Sequence, residues 1–129
     1  MTVVVLDASA VLALLLNEPG AERVLAVLDG GLLGAVNLAE IVSHYAKLGA
    51  SGPDIMAMLD PLPVRIVPVD AALSYAAGLL RPITLRGGLS LGDRYCLALA
   101  KRERVPALTA ERRWPEIAAA VGIDVELIR

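Results

Sequence analysis

The stretch that most constrains the fold is VVVLDASAVLALLL, residues 3–16. Its first four residues are aliphatic with no polar alternation, which is typical of a strand buried on both faces of a parallel sheet. Asp7 follows directly, and the apolar residues 8–16 then predict a buried helix. The first charge of the chain therefore falls where a buried strand ends and a helix begins. Ligands of open parallel sheets bind at this end of the strands, although Asp7 or Ser9 could equally cap the helix.

Strand and helix patterns alternate along the rest of the chain. Further strands are predicted at residues 32–35, 64–67, 106–109 and 124–128, and further helices at 17–28, 38–48, 51–60, 70–80, 90–104 and from 114 onward. Asn17 is the expected cap of the second helix, with Pro19 near its first turn. Residues 86–89 are expected to form a flexible link. Five short strands joined by helical crossovers predict one α/β domain, residues 1–129, with a parallel sheet covered on both faces.

Composition narrows the class of protein. The single cysteine, Cys96, excludes an intramolecular disulfide, and its apolar helical surroundings predict a buried, inert thiol. No basic segment precedes the first apolar run, and the next apolar stretch is too short to span a bilayer, so we expect a cytoplasmic protein. Apolar residues make up 57% of the chain, above the roughly 45–50% that is usual for soluble globular domains. This excess predicts a surface covered by a partner or by a second copy.

The net charge of −2 hides an uneven distribution. Residues 81–113 carry eight basic residues against three acids, whereas residues 1–80 carry three basic residues against eight acids. A basic segment in an acidic chain can follow a phosphate backbone, and it can equally be a set of solvated helix faces.

Four acids fall where a predicted strand ends or a predicted helix starts: Asp7, Glu40, Asp93 and Glu111. Glu40 and Asp93 are both expected in the first turn of their helices. Because the carboxyl ends of parallel strands share one edge of a sheet, the four acids should meet there. Carboxylates this close repel one another unless a cation or bound protons offset the charge. With oxygen as the only ligand type, the cation that fits is Mg²⁺ or Mn²⁺.

Each acid also has a local alternative that needs no shared site. Glu40 could lie on a solvated helix face with Asn37 and His44. Asp93 could complete a capping box with Ser90, and Glu111 could be part of a loop surface. His44 lies one turn after Glu40, but an activated water on a metal needs no separate base, so His44 is left out of the site.

The motifs VVVLDASA, AVNLAEIVS, GLSLGDRYCLALA and ALTAERRW occur in this order along the chain. Together they resemble the motifs of PIN-domain ribonucleases, specifically the VapC-like toxins of bacterial type II toxin–antitoxin systems, over essentially the whole chain. The resemblance implies a PIN-like (Rossmann-like) three-layer α/β/α sandwich with a central, mostly parallel five-stranded sheet. It also implies a Mg²⁺-dependent endoribonuclease, a homodimer, and a cognate antitoxin that inserts a peptide near the active site.

Carried over residue by residue, the resemblance assigns Asp7, Glu40 and Asp93 to the core acids of the family. Its small polar positions are matched by Ser9, Asn37, Ser90 and Thr109. Glu111 stands where the family usually has Asp, so its longer side chain leaves direct ligation or a water-mediated role open. The expected reaction is hydrolysis of an RNA phosphodiester by an activated water, with metal held by Asp7 and Asp93 and help from Glu40. The candidate contacts to the RNA backbone are Arg86, Arg94, Arg112 and Arg113.

Other enzyme and binding classes fit less well. A phosphoryl-transfer enzyme of the haloacid dehalogenase kind would need an acid where this chain has Ser9. A phosphoacceptor receiver domain would need a lysine at a late strand end, and Lys47 and Lys101 lie within or near the ends of predicted helices. The stronger alternative is a non-catalytic module of the same fold that binds RNA or protein. Metal-dependent cleavage by the purified protein separates that alternative from the ribonuclease.

Overall fold

A sheet of five short strands lies at the centre of the structure, a computed structural model that describes residues 3–129. In chain order the strands are β1 (Val5–Leu6), β2 (Leu32–Gly34), β3 (Arg65–Val67), β4 (Ala107–Thr109) and β5 (Val125–Leu127). Their order across the sheet is β3-β2-β1-β4-β5, and each neighbouring pair is parallel. The predicted parallel sheet is confirmed, with β1 as its middle strand.

Helices cover both faces of the sheet. They are α1 (Ala8–Leu15), α2 (Ala21–Val27), α3 (Ala35–Lys47), α4 (Gly52–Leu59), α5 (Ala71–Leu79), α6 (Arg81–Thr84), α7 (Leu91–Glu103) and α8 (Trp114–Val121). Among the described residues, none of these helices has the length and apolar character needed to cross a membrane.

The two faces of the sheet pack into separate apolar clusters. Val5 belongs to the cluster formed with α5, α7 and α8, and Leu6 to the cluster formed with α1, α2 and α3. Neighbouring residues of a strand point to opposite faces, so a two-residue strand contributes to both layers. This confirms the predicted three-layer α/β/α sandwich and explains why β1 has no polar alternation.

The second helix begins later than predicted. Its N-cap is Gly20, in the left-handed region at φ 94°, and not Asn17, which itself has φ 53° in the turn after α1. A Cβ on Gly20 would lie 2.6 Å from the carbonyl oxygen of Ile128, so this turn is set by close packing against the end of the chain. The prediction that Asn17 caps this helix, with Pro19 in the first turn, is wrong.

The third helix begins earlier than predicted. Gly34 ends β2 and is also the N-cap of α3, so no loop separates the strand from the helix. Asn37 therefore lies in the first turn of α3, and Glu40 lies in the second turn and not in the first as predicted. Glu40 therefore lies about one helical turn from the end of β2, measured along the axis of α3.

The basic segment, residues 81–113, contains a short helix that the sequence pattern does not distinguish from α5. Residues 81–84 form the short helix α6 directly after α5, and the predicted link at residues 86–89 forms turns. Gly87 packs closely on Ile117 of α8, because a Cβ added at Gly87 would overlap that side chain.

The predicted burial of Cys96 is confirmed. The thiol is completely buried on α7, and this burial raises the pKa of Cys96 well above its usual range. A thiol in such surroundings stays protonated and is a poor nucleophile.

Candidate active site

Asp7 stands directly after the middle strand and is 2% exposed. The hydroxyls of Ser9 and Thr109 both donate hydrogen bonds to its Oδ2 atom, at 2.6 and 2.9 Å. Each hydroxyl also accepts a bond from a backbone amide at 3.0 Å, Ser9 from Ala110 and Thr109 from Glu111. Each hydroxyl accepts from an amide and has one proton to donate, so both can donate to the carboxylate. The two hydroxyl oxygens also lie 3.2 Å apart, within hydrogen-bond distance of each other.

These hydrogen bonds from Ser9 and Thr109 argue against the alternative that Asp7 only caps the helix. Asp7 occupies the N-cap position of α1 in an extended conformation, but its side chain makes no capping hydrogen bond to the helix. The register of the sheet pairs Leu6 with Leu108, and this pairing brings the following residues, Asp7 and Thr109, together.

Burial raises the pKa of Asp7 from 3.8 to about 6. The hydrogen bond from Ser9 opposes this rise, the charge of Asp93 adds to it, Thr109 again opposes it, and Glu40 adds a smaller increase. The two hydroxyls thus stabilise the charged form, while the neighbouring carboxylates destabilise it. Without a cation, Asp7 is mostly ionised at neutral pH and takes up a proton as the pH falls through about 6.

Glu40 is half-buried on α3 and is held by a buried amide. Asn37, which is completely buried, donates from Nδ2 to Glu40 Oε1 at 2.8 Å and to the carbonyl oxygen of Gly92 at 3.1 Å. Burial raises the pKa of Glu40, the bond from Asn37 opposes the rise, and the charge of Asp93 adds to it. Glu40 therefore does not lie on a solvated helix face, which was its local alternative.

Asp93 lies in the first turn of α7, as predicted. It forms a complete capping box, in which the Ser90 amide donates to Asp93 Oδ2 at 2.9 Å and the Asp93 amide donates to Ser90 Oγ at 3.2 Å. The predicted capping box is confirmed. The charge of Asp93 also acts on the site, because it raises the pKa of both Asp7 and Glu40. The helix cap and the cluster of acids are therefore compatible.

Glu111 is connected to the site through its backbone. Its amide donates to Thr109 Oγ1, while within residues 3–129 its carboxylate forms no hydrogen bond or ion pair. The structure thus brings three acids into electrostatic contact and anchors the fourth beside them. The role of Glu111 stays a prediction.

The four arginines singled out in the sequence have different surroundings. Arg86, Arg112 and Arg113 are exposed at the surface. Arg94 is only 6% exposed, and its Nε atom has no hydrogen-bond partner among the described residues. We therefore do not group Arg94 with the exposed arginines as a contact to RNA.

The oxygen atoms around Asp7 fit a hard divalent cation in their chemistry. Both hydroxyls bond to Oδ2 of Asp7, and in the described part of the chain no side chain donates to Oδ1. No three Asp, Glu, His or Cys side chains among residues 3–129 form a complete metal site. Mg²⁺ in proteins is commonly held by one or two carboxylates, with water and substrate phosphate as the other ligands. Asp7 and Asp93 supply two carboxylates of this kind, and their role as metal ligands stays a prediction.

Gly92 is absent from the residues that the sequence pattern singles out. A Cβ atom on Gly92 would overlap the carboxylate of Glu40. No local sequence signal could have found this contact, because it joins segments that are far apart in the chain.

The comparisons with known proteins agree with this geometry. A family model described as PIN domain matches residues 4–120. No curated protein matches the chain by sequence. The structure is similar to that of DNA-bound VapBC from Salmonella typhimurium, with a TM-score of 0.74 and 17% identity over 100% of both chains.

Two further similar structures differ more in backbone but are slightly closer in sequence. FitAcB from Neisseria gonorrhoeae has a TM-score of 0.66 and 22% identity, over 97% of this chain and 96% of that one. VapBC-5 from Mycobacterium tuberculosis, described as a member of the VapBC family of toxin–antitoxin systems, has a TM-score of 0.63 and 22% identity, over 100% and 99%. At these identities the likeness shows the fold.

Proposed function

This chain belongs to the PIN domain family, and we propose that it is a Mg²⁺-dependent endoribonuclease that acts as the toxin of a toxin–antitoxin pair. The observation that carries the proposal is the electrostatic contact of Asp7, Glu40 and Asp93, which come from three distant segments. The charge of Asp93 raises the pKa of both Asp7 and Glu40, and the charge of Glu40 adds to the rise at Asp7. Mutual repulsion of this kind costs folding free energy unless a cation offsets it, so it is typical of a functional site.

Asp7 and Asp93 would hold the metal, Mg²⁺ or Mn²⁺, and Glu40 would support it with a third negative charge. Bound Mg²⁺ supplies positive charge against the phosphate and a water of lowered pKa. The hydroxyls of Ser9 and Thr109 fix the rotamer of Asp7 and favour its ionised form. The amide of Asn37 does the same for Glu40. These polar residues orient the carboxylates, as hydrogen-bonding partners of metal ligands do in other proteins.

The exposed arginines would bind the RNA backbone. Arg86 precedes α7, and Arg112 and Arg113 follow Glu111 in the sequence, so all three lie close in the chain to acids of the site. Contacts of guanidinium groups to phosphate provide affinity and position, and they carry no direct sequence information. We therefore expect binding to RNA to be strongly dependent on salt.

An antitoxin protein is the proposed partner. The structural neighbour from Mycobacterium tuberculosis is described as part of a toxin–antitoxin system, and this chain shares its fold over its whole length. A homodimer and a cytoplasmic location belong to the same proposal. The apolar excess supports the dimer, since Tyr75 and Leu79 on α5 are 75% and 73% exposed. Light scattering of the purified protein measures its oligomeric state.

The direct test is cleavage of end-labelled RNA by the purified protein, with Mg²⁺ and with a chelator. We expect cleavage with Mg²⁺ only, and no cleavage by Asp7→Asn, which removes a metal-binding charge at nearly constant volume. Asp29→Asn is the matched control, because Asp29 is exposed in the turn after α2. Binding of RNA without cleavage under every metal condition would instead support the non-catalytic alternative.

A further inference from the structure

We propose that Gly92 is a positioning residue for Glu40. Gly92 is the second residue of α7, and a Cβ atom built on it would overlap Cδ, Oε1 and Oε2 of Glu40. The carboxylate of Glu40 therefore occupies the space that any other side chain at position 92 would need. This space is available because residue 92 is glycine.

Backbone conformation does not explain the glycine. The glycines with positive φ are Gly20, Gly30, Gly49, Gly88 and Gly122. Gly92 is helical, and glycine is among the least favourable residues in a helix. An alanine at this position would fit the backbone and favour the helix. The contact with Glu40 is what opposes it.

Asn37 forms hydrogen bonds to both Glu40 and Gly92. Its Nδ2 atom donates to Glu40 Oε1 and to the carbonyl oxygen of Gly92. Both partners accept hydrogen bonds, so the amide nitrogen must face them. Glu40 is thus fixed between the Asn37 amide on α3 and the backbone of α7 at Gly92. One residue after Gly92 comes Asp93, whose charge raises the pKa of Glu40.

The consequence for the site follows from this fixed position and rests on the proposed function. A side chain at position 92 would displace the carboxylate of Glu40 from the position in which it accepts the bond from Asn37. Losing a group that orients the ligands of a metal typically lowers metal affinity about 10–100-fold. We expect Gly92→Ala to weaken Mn²⁺ binding by that factor, although alanine is the better helix former.

The experiment measures Mn²⁺ binding by calorimetry and the melting temperature in chelator. The variants are Gly92→Ala, Glu40→Ala, and both together. The matched control is Gly78→Ala, a helical glycine of α5 whose added Cβ would meet no atom within 4 Å. We expect this control to bind Mn²⁺ as the parent does and to melt no lower.

The melting temperatures test the contact itself. In the Glu40→Ala background no carboxylate fills the space, so Gly92→Ala should raise the melting temperature as helix propensity predicts. In the parent background the same change should raise it less or lower it. Equal shifts in the two backgrounds would overturn the proposal.

Mn²⁺ binding separates positioning from a purely structural contact. If Gly92→Ala binds Mn²⁺ as tightly as the parent does, Gly92 does not position Glu40 for the site and the proposal fails. If the parent itself binds no Mn²⁺, the proposed metal-dependent function fails, and the comparison of melting temperatures alone decides whether Gly92 fixes Glu40.

Discussion

Thr109 donates a hydrogen bond from Oγ1 to Oδ2 of Asp7 across 2.9 Å, although the two residues lie 102 positions apart in the chain. The bond forms because β1 and β4 are adjacent parallel strands whose carboxyl ends meet. Thr109 is completely buried, so its hydroxyl must find a partner inside the protein. One bond thus satisfies a buried hydroxyl and orients the carboxylate that we propose as a metal ligand.

Removing that hydroxyl should weaken the enzyme without unfolding it. Thr109→Val keeps the shape of the side chain but removes the donor to Asp7, so we expect cleavage to fall about 10–100-fold. The control is Thr84→Val, since Thr84 is equally buried but donates to the carbonyl oxygen of Leu80. Cleavage rates at saturating Mg²⁺ compare the two. Equal rates for both variants would show that cleavage depends on the packing of the Thr109 side chain and not on its hydroxyl.

The raised pKa of Asp7 predicts a pH dependence of stability in chelator. In the folded protein the pKa of Asp7 is about 6, above the ordinary value of 3.8 for an aspartate side chain. Folding therefore favours the protonated form. This contribution is complete below pH 3.8 or so and is lost as pH rises through about 6. This rise in the pKa of Asp7 from 3.8 to about 6 corresponds to roughly 3 kcal/mol at most.

Asp7→Asn is the variant that isolates this contribution. The stability of Asp7→Asn relative to the parent should increase as the pH rises from about 4 to about 7.5, because the variant has no charge to bury. Urea unfolding at the two pH values measures the difference. A constant difference would mean that burial does not shift the pKa of Asp7.

Asp93 has two roles that substitution can separate. Asp93→Asn removes the charge but keeps an oxygen that can accept from the Ser90 amide, whereas Asp93→Ala removes both. We expect both variants to lose cleavage. In chelator, Asp93→Asn should melt no lower than the parent because repulsion with Asp7 and Glu40 is relieved, and Mg²⁺ should stabilise it less than the parent.

Asp93→Ala should melt lower than Asp93→Asn, because it loses the bond that the Ser90 amide donates to the side chain at position 93, while Ser90 still caps the helix. The loss of one such hydrogen bond costs about 0.5–1.5 kcal/mol. Calorimetric scans of the three proteins decide the matter. An Asp93→Asn protein that melts as low as Asp93→Ala would indicate that the carboxylate acts only as a cap.

Glu111 offers a test of the residue where the chain departs from the family pattern. Its carboxylate has no described partner, so we expect Glu111→Gln to reduce cleavage only in part and Glu111→Asp to retain or improve it. Rates at saturating Mg²⁺, measured beside Asp7→Asn, check this. A Glu111→Gln protein as inactive as Asp7→Asn would make Glu111 essential, and one equal to the parent would reduce the catalytic acids to three.

The exposed arginines should contribute to RNA affinity through phosphate. Asp7→Asn serves as the background because it prevents cleavage. In this background, Arg112→Gln should weaken binding to unrelated RNA sequences by similar factors. It should also reduce the slope of log affinity against log salt concentration by about one. Arg23→Gln is the control, because Arg23 lies on α2 and pairs with Glu126 at 3.1 Å. Titrations at several salt concentrations measure both. Equal salt dependence for the two variants would place the RNA elsewhere.

Features that depend on local pattern could be predicted from the amino-acid sequence. Unbroken aliphatic runs predicted the strands, apolar spacing predicted the helices, and their alternation predicted a parallel sheet with acids at its carboxyl edge. Asp7 after β1 and the capping box of Ser90 and Asp93 were predictable in the same way, because each depends on residues within a few positions. The same pattern placed Glu40 among the four converging acids, and the resemblance to PIN-domain motifs then assigned Asp7, Glu40 and Asp93 to the core acids.

How these segments meet could not be predicted in this way and is visible in the folded chain alone. Folding placed Thr109 against Asp7 and the carboxylate of Glu40 against Gly92, and it buried Arg94. It also moved the start of α2 to Ala21, because Gly20 packs on the end of the chain. A local pattern specifies which side of a helix or strand is buried, but the partner of that side depends on crossover connections and strand order. Contacts between distant segments therefore cannot be derived from periodicity, and in this protein those contacts build the site.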